Sequence, residues 1–302
     1  MYDIIIIGAG PAGLTAAIYA LRAAKKVLIL EAKGYGGQII NTLDIENYPG
    51  EEHISGFDFA TKLMNQVKNL GVEIQYEKAL TIKKQNDFFE VETTKQSYQG
   101  KTVILATGTN TKKLGLPREE ELLGKGISYC ATCDGAFYKN KIVAVVGGGN
   151  TALEDAYYLS DLAEKVYLIH RRDEFRGDRK TLDRLKGKNN VEIIYQSIVT
   201  KLNGSSKLEG IELMNQDNNT ISLDVDGLFI AIGRNPENDI VKDIVTLDEN
   251  NYIVADENGK TNQDGIFAAG DNRQKELRQL VTATADGAIA AVEAIKYINN
   301  RR

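Results

Sequence analysis

Tyr2-Asp3-Ile4-Ile5-Ile6-Ile7-Gly8-Ala9-Gly10-Pro11-Ala12-Gly13, followed after a helix-forming stretch by Lys26-Val27-Leu28-Ile29-Leu30-Glu31, decides the fold. Tyr2 to Ile7 is a short apolar run with the character of a parallel strand buried on both faces. The glycine turn follows without a linker. Leu14 to Ala24 then carries helix formers, and Lys26 to Leu30 reads as a second strand ending in an acid. Strand, glycine turn, helix, strand and acid in this order make the βαβ dinucleotide-binding fingerprint. Gly8 permits the tight turn, Gly10 lets the backbone approach a pyrophosphate, and Gly13 lets helix and strand pack closely. With Pro11 and Ala12 they form the first candidate cofactor site. The helix N-terminus turns free N–H groups and a positive dipole end toward phosphate. Glu31, 18 residues after Gly13, is placed to accept hydrogen bonds from an adenosine ribose.

The pattern recurs in register. Lys141 to Val146 is an apolar strand, Gly147-Gly148-Gly149-Asn150-Thr151-Ala152 is a glycine turn, a helix follows through Ser160, and Lys165 to Ile169 is the next strand. Gly8 to Gly147 and Glu31 to His170 are both steps of 139 residues, so the second unit repeats the first without insertion. Where the first unit carries its ribose acid, the second carries His170-Arg171-Arg172, with Arg176 just beyond. A ribose 2′-hydroxyl is recognised by an acid and a 2′-phosphate by cations. The first site therefore suits FAD and the second NADPH, with Gly147, Gly149, Asn150, Thr151, Ala152, His170, Arg171, Arg172 and Arg176 as the second set of candidate contacts. Taken out of this register, the run His170 to Arg176 would be an ordinary solvated charge run.

Composition sets the class. A chain of 302 residues suggests about two domains. Hydrophobic content of 42% with 26% charged residues is that of a soluble globular protein. A net charge of −5, with no basic arm, argues against a nucleic-acid partner. No apolar run is long enough for a membrane span or a signal segment, so a cytoplasmic location is expected.

Cys130 and Cys133 are the only cysteines, and Cys133 stands 14 residues before Gly147. In a reducing compartment such a pair is more often catalytic or metal-binding than structural. Two cysteines within loop reach make a closed redox couple by thiol–disulfide exchange. Asp134 is the one carboxylate between Tyr129 and Lys139, able to serve as acid and base if burial raises its pKa. The competing reading is half of a zinc site, which needs four ligands. Only His53 and His170 could complete it, His170 is placed elsewhere by register, and no metal is expected.

The remaining segments are less specific. Gly34 to Gly50 is a long turn-rich stretch containing Gly36-Gly37-Gln38 and Asn47, of the length that often carries function. Phe57 to Leu70 has helical spacing. His53 reads as an isolated surface residue, and Arg118-Glu119-Glu120-Glu121 as a solvated face. Thr102 to Ala106, ending in Thr107-Gly108, resembles Gly227 to Gly233, which is followed by Arg234. Gly265 to Asp271 reads as a strand ending in Gly270-Asp271, where Asp271 could take a ribityl hydroxyl. Arg278-Gln279 then leads into a terminal helix from Thr282 to Tyr297.

Together these motifs resemble the low-molecular-weight, bacterial-type thioredoxin reductases. The matched pieces span nearly the whole chain: Gly8 to Gly13, Gly36-Gly37-Gln38, Cys130-Ala131-Thr132-Cys133-Asp134, Gly147 to Ala152, His170-Arg171-Arg172 with Arg176, Gly270-Asp271 and Arg278-Gln279. The dithiol placed just ahead of the second nucleotide signature is the specific feature. The resemblance implies an α/β fold of two Rossmann-like, three-layer dinucleotide-binding domains. The FAD domain would be discontinuous (residues 1–113 and 245–302), with the NADPH domain (114–244) and its dithiol inserted. It further implies a homodimer in which Cys133 faces the flavin, Cys130 exchanges with the disulfide of thioredoxin, and Asp134 acts as the acid. FAD contacts would extend to Gly36, Gly37, Gln38, Asn47, Thr107, Gly108, Gly270, Asp271, Arg278 and Gln279, and NADPH contacts to Gly233 and Arg234. Leu280 departs from the small residue the family often has there.

Two other functions fit the same residues: an NADPH–flavin dithiol reductase serving another disulfide carrier or a peroxidase, and a non-enzymatic nucleotide-sensing redox switch. Dithiol and NADPH site share one domain, and both must reach one flavin held by the other. The inserted domain is therefore expected to rotate about its crossings, near residues 112–117 and 241–246.

Overall fold

The computed structural model describes residues 1–42 and 44–301, with the side chain of Asn41 left out. The chain divides into two compact units, residues 1–110 with 235–302, and residues 111–234.

The first unit opens with β1 (Tyr2–Ile7), α1 (Pro11–Arg22), β2 (Val27–Glu31), α2 (Gly56–Asn69), β3 (Glu73–Tyr76), β4 (Ala79–Lys84), β5 (Phe89–Thr93) and β6 (Ser97–Leu105). The strands pair in the order β3-β2-β1-β6-β5-β4, parallel from β3 to β6 and antiparallel through β5 and β4. The four isoleucines of β1 explain its unbroken apolar run. Ile4 and Ile6 face one core with Leu14, Ala16 and Ile29, and Ile5 and Ile7 face another with Leu28, Val103 and Leu105. Each such fully buried side chain contributes roughly 1.5–3 kcal/mol, so a polar residue at any of the four would be strongly unfavourable.

The chain leaves this unit through β7 (Thr109–Thr111). The second unit contains β8 (Ile127–Ser128), α3 (Ala131–Asp134), β9 (Ile142–Gly147), α4 (Asn150–Ser160), β10 (Lys165–Ile169), α5 (Arg179–Lys186), β11 (Val191–Ile194), β12 (Ser197–Asn203), β13 (Gly210–Asn215), β14 (Thr220–Asp224) and β15 (Gly227–Ala231). A parallel sheet runs β11-β10-β9-β15-β8, and β12-β13-β14 form an antiparallel sheet of their own. The chain returns through β16 (Arg234–Pro236), paired with β7, and closes with β17 (Ile266–Ala268) beside β6 and α6 (Leu280–Asn299).

The internal repeat is exact in the helices: α1 begins at Pro11 and α4 at Asn150, 139 residues on. Helix α5 is not among the elements expected from the sequence. Its start is fixed by Asp178, whose side chain accepts the Thr181 N–H at 2.9 Å. The division of the chain falls ten residues before the expected 244/245, at 234/235. Asn238 explains the shift. It is 1% exposed, and its side-chain amide donates to the carbonyls of Asn251 and Asn272, both at 2.8 Å, which binds this segment into the first unit.

Candidate active site

Two uncapped glycine turns, one in each unit, and a disulfide in the second unit are the candidate site features. In the first unit Gly8 has φ of +108°, and a Cβ there would lie 2.2 Å from the Ala106 carbonyl oxygen. At Gly13 a Cβ would lie 2.0 Å from the Gly8 carbonyl oxygen, so the α1–β1 approach admits no side chain. Gly10 is the N-cap of helix α1 and brings no side-chain cap, leaving the helix's first N–H groups without a side-chain acceptor. Glu31 accepts the Ala9 N–H at 2.7 Å and the Lys33 N–H at 2.8 Å, which fixes its carboxylate beside the turn.

Several of the other expected FAD contacts lie against this turn, and all belong to the first unit. Gly36 donates its N–H to the Ala9 carbonyl at 2.8 Å, and Gly37 packs against Gly10 and Pro11. Gly270 lies against Ala12. The Gln38 amide donates to the Thr109 carbonyl, and Asn47 donates to Gln279 at 3.3 Å. Gln279 also caps α6 in a reciprocal box with Thr282. Thr107 is held by two asparagines, donating to Asn238 at 3.2 Å and accepting from Asn272 at 3.0 Å; the backbone of Gly108 accepts the Glu237 N–H at 3.2 Å. Arg278 stacks its guanidinium 4.1 Å from the Tyr252 ring centre, and its Nε is buried without a hydrogen-bond partner. Buried polar atoms are almost always paired, so an orphaned donor in this unit fits a polar group brought by a ligand. The residues present fit FAD.

A charged cluster behind Asp271 was not foreseen. Asp286 on α6 accepts the Gly270 N–H at 3.0 Å, Lys275 at 3.0 Å, and both Arg273 Nε and its terminal nitrogen at 2.8 Å. Lys275 in turn lies 3.7 Å from Asp271. Burial works against the Asp286 anion, but the Arg273 hydrogen bonds and the neighbouring cations hold its carboxyl below the usual range. The cluster thus fixes the Gly270-Asp271 turn.

In the second unit the N-cap of α4 is likewise a glycine with no side-chain cap, Gly149. The loop after β10 closes over this turn. Arg176 donates its N–H to the Gly148 carbonyl at 2.8 Å, and Asp178 donates its N–H to Asn150 at 2.7 Å. Arg171, Arg172, Arg176, Asn150 and Thr151 are exposed, while Gly147 and Ala152 are buried. His170 differs from its neighbours. It is 5% exposed, stacks on Phe175, and sets its ring against Gly148. Burial pushes its pKa down, and Arg171 and Arg172 push in the same direction. Positive charge at this edge therefore comes from the three arginines. Gly233 lies beside the Lys112 side chain, and Arg234 follows at the start of β16.

Cys130 and Cys133 are joined as a disulfide. Neither sulfur is then the thiolate a zinc site requires, and the two histidines fall in different units, His53 in the first and His170 in the second. His53 is exposed, as expected, but not isolated: it contacts Asp44 at 3.0 Å and Glu46 at 3.5 Å. Cys130 caps α3, a single helical turn that also contains Cys133 and Asp134. Ser128 ties these together. It donates to Asp134 at 2.6 Å and accepts the Cys130 N–H at 3.0 Å. Burial raises the Asp134 pKa, and the Ser128 hydrogen bond opposes that rise. Such a carboxyl can hold a proton closer to neutral pH than an exposed one.

One expectation fails nearby. Glu119 is not part of a solvated face but is 3% exposed. It accepts the backbone N–H groups of Leu114, Gly115 and Leu116 at 3.0, 2.8 and 3.3 Å, and the Tyr129 hydroxyl at 2.8 Å, one residue before Cys130. Four donors offset the cost of burying the carboxylate.

Residues 2–287 match the family described as pyridine nucleotide-disulphide oxidoreductase. The thioredoxin reductase of Listeria monocytogenes is 43% identical over 300 residues, covering 99% of this chain and 94% of that protein. That of Treponema pallidum is 41% identical over 300 residues, covering 99% of this chain and 97% of that protein. The crystal structure of thioredoxin reductase from Streptococcus pyogenes matches with a TM-score of 0.96 at 42% identity, covering 99% of each chain.

Proposed function

Because this chain belongs to the pyridine nucleotide-disulphide oxidoreductases and, within them, to the low-molecular-weight thioredoxin reductases, we propose that it carries electrons from NADPH through FAD and the Cys130–Cys133 dithiol to the disulfide of oxidised thioredoxin. The observation that carries this reading is the disulfide on α3, with the Asp134 carboxyl bound through Ser128 to the Cys130 amide. FAD would be held by the Gly8–Gly13 turn, Glu31, the 36–38 segment, Asp271, Arg278 and Gln279. When bound, it supplies the exchange between a two-electron hydride donor and a disulfide.

The chain's own residues do the rest. The exposed Arg171, Arg172 and Arg176 provide the cationic edge for the 2′-phosphate of NADPH, and the uncapped α4 N-terminus faces its pyrophosphate. When the disulfide opens, the leaving sulfur takes a proton from Asp134; when the dithiol discharges, the Asp134 anion takes one back. Cys130 attacks the carrier disulfide, and Cys133 then displaces the reduced carrier and restores the intramolecular bond. The overall exchange is NADPH, one proton and a carrier disulfide giving NADP+ and a carrier dithiol. The working species is taken as a homodimer. Movement of the inserted unit is part of the reading, and tethering the two units with an engineered disulfide should stop turnover while sparing one half-reaction.

The test is NADPH-driven turnover against a panel of oxidised carriers. Multiple turnover with thioredoxin is expected. Reduction of a peroxidase or a glutaredoxin-like protein, with thioredoxin left oxidised, would transfer the assignment to the alternative carrier class. Among the described residues no helix is long and apolar enough to cross a membrane.

A further inference from the structure

In Cys130-Ala131-Thr132-Cys133-Asp134 one polar side chain, Thr132, has no part in the exchange described so far. Its hydroxyl oxygen lies 3.4 Å from the Cys130 sulfur. Sulfur is larger than oxygen, and this is a hydrogen-bonding separation for the pair. In the disulfide Cys130 has no S–H to give, so the hydroxyl donates and the sulfur accepts.

The contact follows from the local backbone. Cys130 is the N-cap of α3 and is extended, with φ of −152° and ψ of 103°. An N-cap side chain turns back over the first helical turn, toward the second and third residues after it. Those residues are Thr132 and Cys133. The Cys130 carbonyl accepts the N–H groups of Cys133 at 3.3 Å and Asp134 at 3.1 Å, and Ser128 accepts the Cys130 N–H at 3.0 Å. Ala131 is buried, Cys130 is half-buried, and Thr132 and Cys133 are exposed. The turn is anchored through Ala131 and its backbone, and the hydroxyl meets the sulfur at the surface.

We propose that Thr132 is a catalytic residue of the dithiol: its hydroxyl donates to the Cys130 sulfur and stabilises that sulfur as a thiolate in both directions of the exchange. This rests on Cys130 and Cys133 being the redox couple. When two electrons from NADPH open the S–S bond, the hydroxyl holds the charge on Cys130 until a proton arrives from Asp134. In discharge the Cys130 proton passes to the Asp134 anion, and the thiolate attacks one sulfur of the carrier disulfide. A new S–S bond forms, and the carrier's other sulfur leaves as a thiolate. The hydroxyl itself is neither oxidised nor deprotonated.

A hydrogen bond at an exposed site favours the thiolate roughly 3- to 10-fold. A stabilised thiolate is also a weaker nucleophile, with a Brønsted slope of about 0.4–0.5. About half the gain, on a logarithmic scale, therefore survives as rate where Cys130 is mostly thiol, and about half is lost as rate where it is mostly thiolate. Loss of the hydroxyl should slow exchange about 2- to 3-fold on the acid side and speed it about 2- to 3-fold on the alkaline side.

The test is the pH profile of exchange with dithiodipyridine, a small disulfide, in FAD-loaded protein carrying Cys133→Ser, so that one thiol reports. Thr132→Val keeps the shape and removes the donor; Thr132→Ser keeps the donor. The carboxylates of α3 and of α4, which packs on Gly135 through Tyr158 and Leu159, are Asp134, Glu154 and Asp155, and the flanking tyrosines are Tyr129 and Tyr138. All are the same in each variant, so the comparison isolates the hydroxyl. The Thr132→Val profile should cross that of its parent, and Thr132→Ser should follow the parent. Profiles that coincide or run parallel for Thr132→Val and its parent, or a Thr132→Ser profile that follows Thr132→Val, would overturn the proposal. The probe needs no carrier protein, so thioredoxin turnover by the unmodified enzyme, measured alongside, separates failure of this inference from failure of the functional reading.

Discussion

Ser128→Ala is the sharpest perturbation of the proton chemistry. The Ser128 hydroxyl donates to Asp134 at 2.6 Å and lies behind the Cys130 amide at 3.0 Å. Burial raises the Asp134 pKa, and this hydrogen bond is the force holding it back. A hydrogen bond to a charged group contributes about 1.5–3 kcal/mol, so its loss shifts the Asp134 equilibrium roughly 10- to 100-fold toward the acid. If Asp134 is the proposed acid, opening of the disulfide needs it protonated and the rate should fall as pH rises through the Asp134 pKa. Removing the bond moves that fall to higher pH. Discharge of the dithiol needs the anion, so the acid limb moves upward as well. Rapid-mixing measurement of thiol appearance after NADPH addition, repeated across pH, follows the first limb. Discharge to a carrier disulfide follows the second. Asp134→Asn is the reference: it should flatten both limbs and slow both steps on the order of 10²- to 10⁴-fold. If Ser128→Ala leaves both limbs in place, or if Asp134→Asn keeps them, Asp134 is not the proton carrier.

Cys130→Ser and Cys133→Ser should each abolish carrier reduction while leaving FAD bound and reducible by NADPH; carrier turnover above a few per cent of the parent rate in either variant rules out the dithiol role. Arg171→Ala should raise the KM for NADPH far more than for NADH, by roughly 10- to 100-fold for one lost phosphate contact; an equal effect on both nucleotides contradicts the 2′-phosphate assignment. Asp286→Ala leaves Arg273 and Lys275 buried without their shared anion, so it should cost about 3–5 kcal/mol of stability and weaken FAD retention, read by thermal unfolding and by bound flavin after gel filtration. The Asp286 pKa is depressed in the fold. Its contribution is therefore present above the ordinary carboxylate range and lost as pH falls through its folded value. Flavin release that begins at the same acid pH in parent and Asp286→Asn would exclude that link.

The sequence carried the fold wherever a short stretch had to satisfy backbone geometry by itself. The β1 isoleucines, the two glycine turns and their 139-residue spacing are local signals, and α1 and α4 begin that distance apart. Candidate residues in those turns could be named because the motif states their task. Residues whose task is to hold a distant segment carry no such mark. Asn272 donates to the Leu105 carbonyl at 3.0 Å across 167 residues, and Asn238 reaches Asn272 across 34; in the chain both are isolated asparagines in polar loops. The division at 234/235 follows from this anchoring, which leaves no periodic signal in the chain.

Charge runs fail for a related reason. Arg118-Glu119-Glu120-Glu121 has the composition of a solvated face, and Glu120 and Glu121 do pair with cations, the exposed Lys113 and the half-buried Arg118. Glu119, between them and Arg118, turns inward to four donors, because the 114–116 segment leaves three backbone N–H groups that no strand or helix satisfies. The requirement arises in the backbone, and the residue answering it is chosen by position rather than by type. His170 shows the converse. It occupies the register position of Glu31, yet its ring fills the space beside Gly148 and stacks on Phe175. The two units thus share a backbone plan while differing in which side chains can face the nucleotide. In the first, an acid accepts two backbone N–H groups at the turn. In the second, that position is spent on packing, and the arginines after it are left exposed with their charge available to a phosphate.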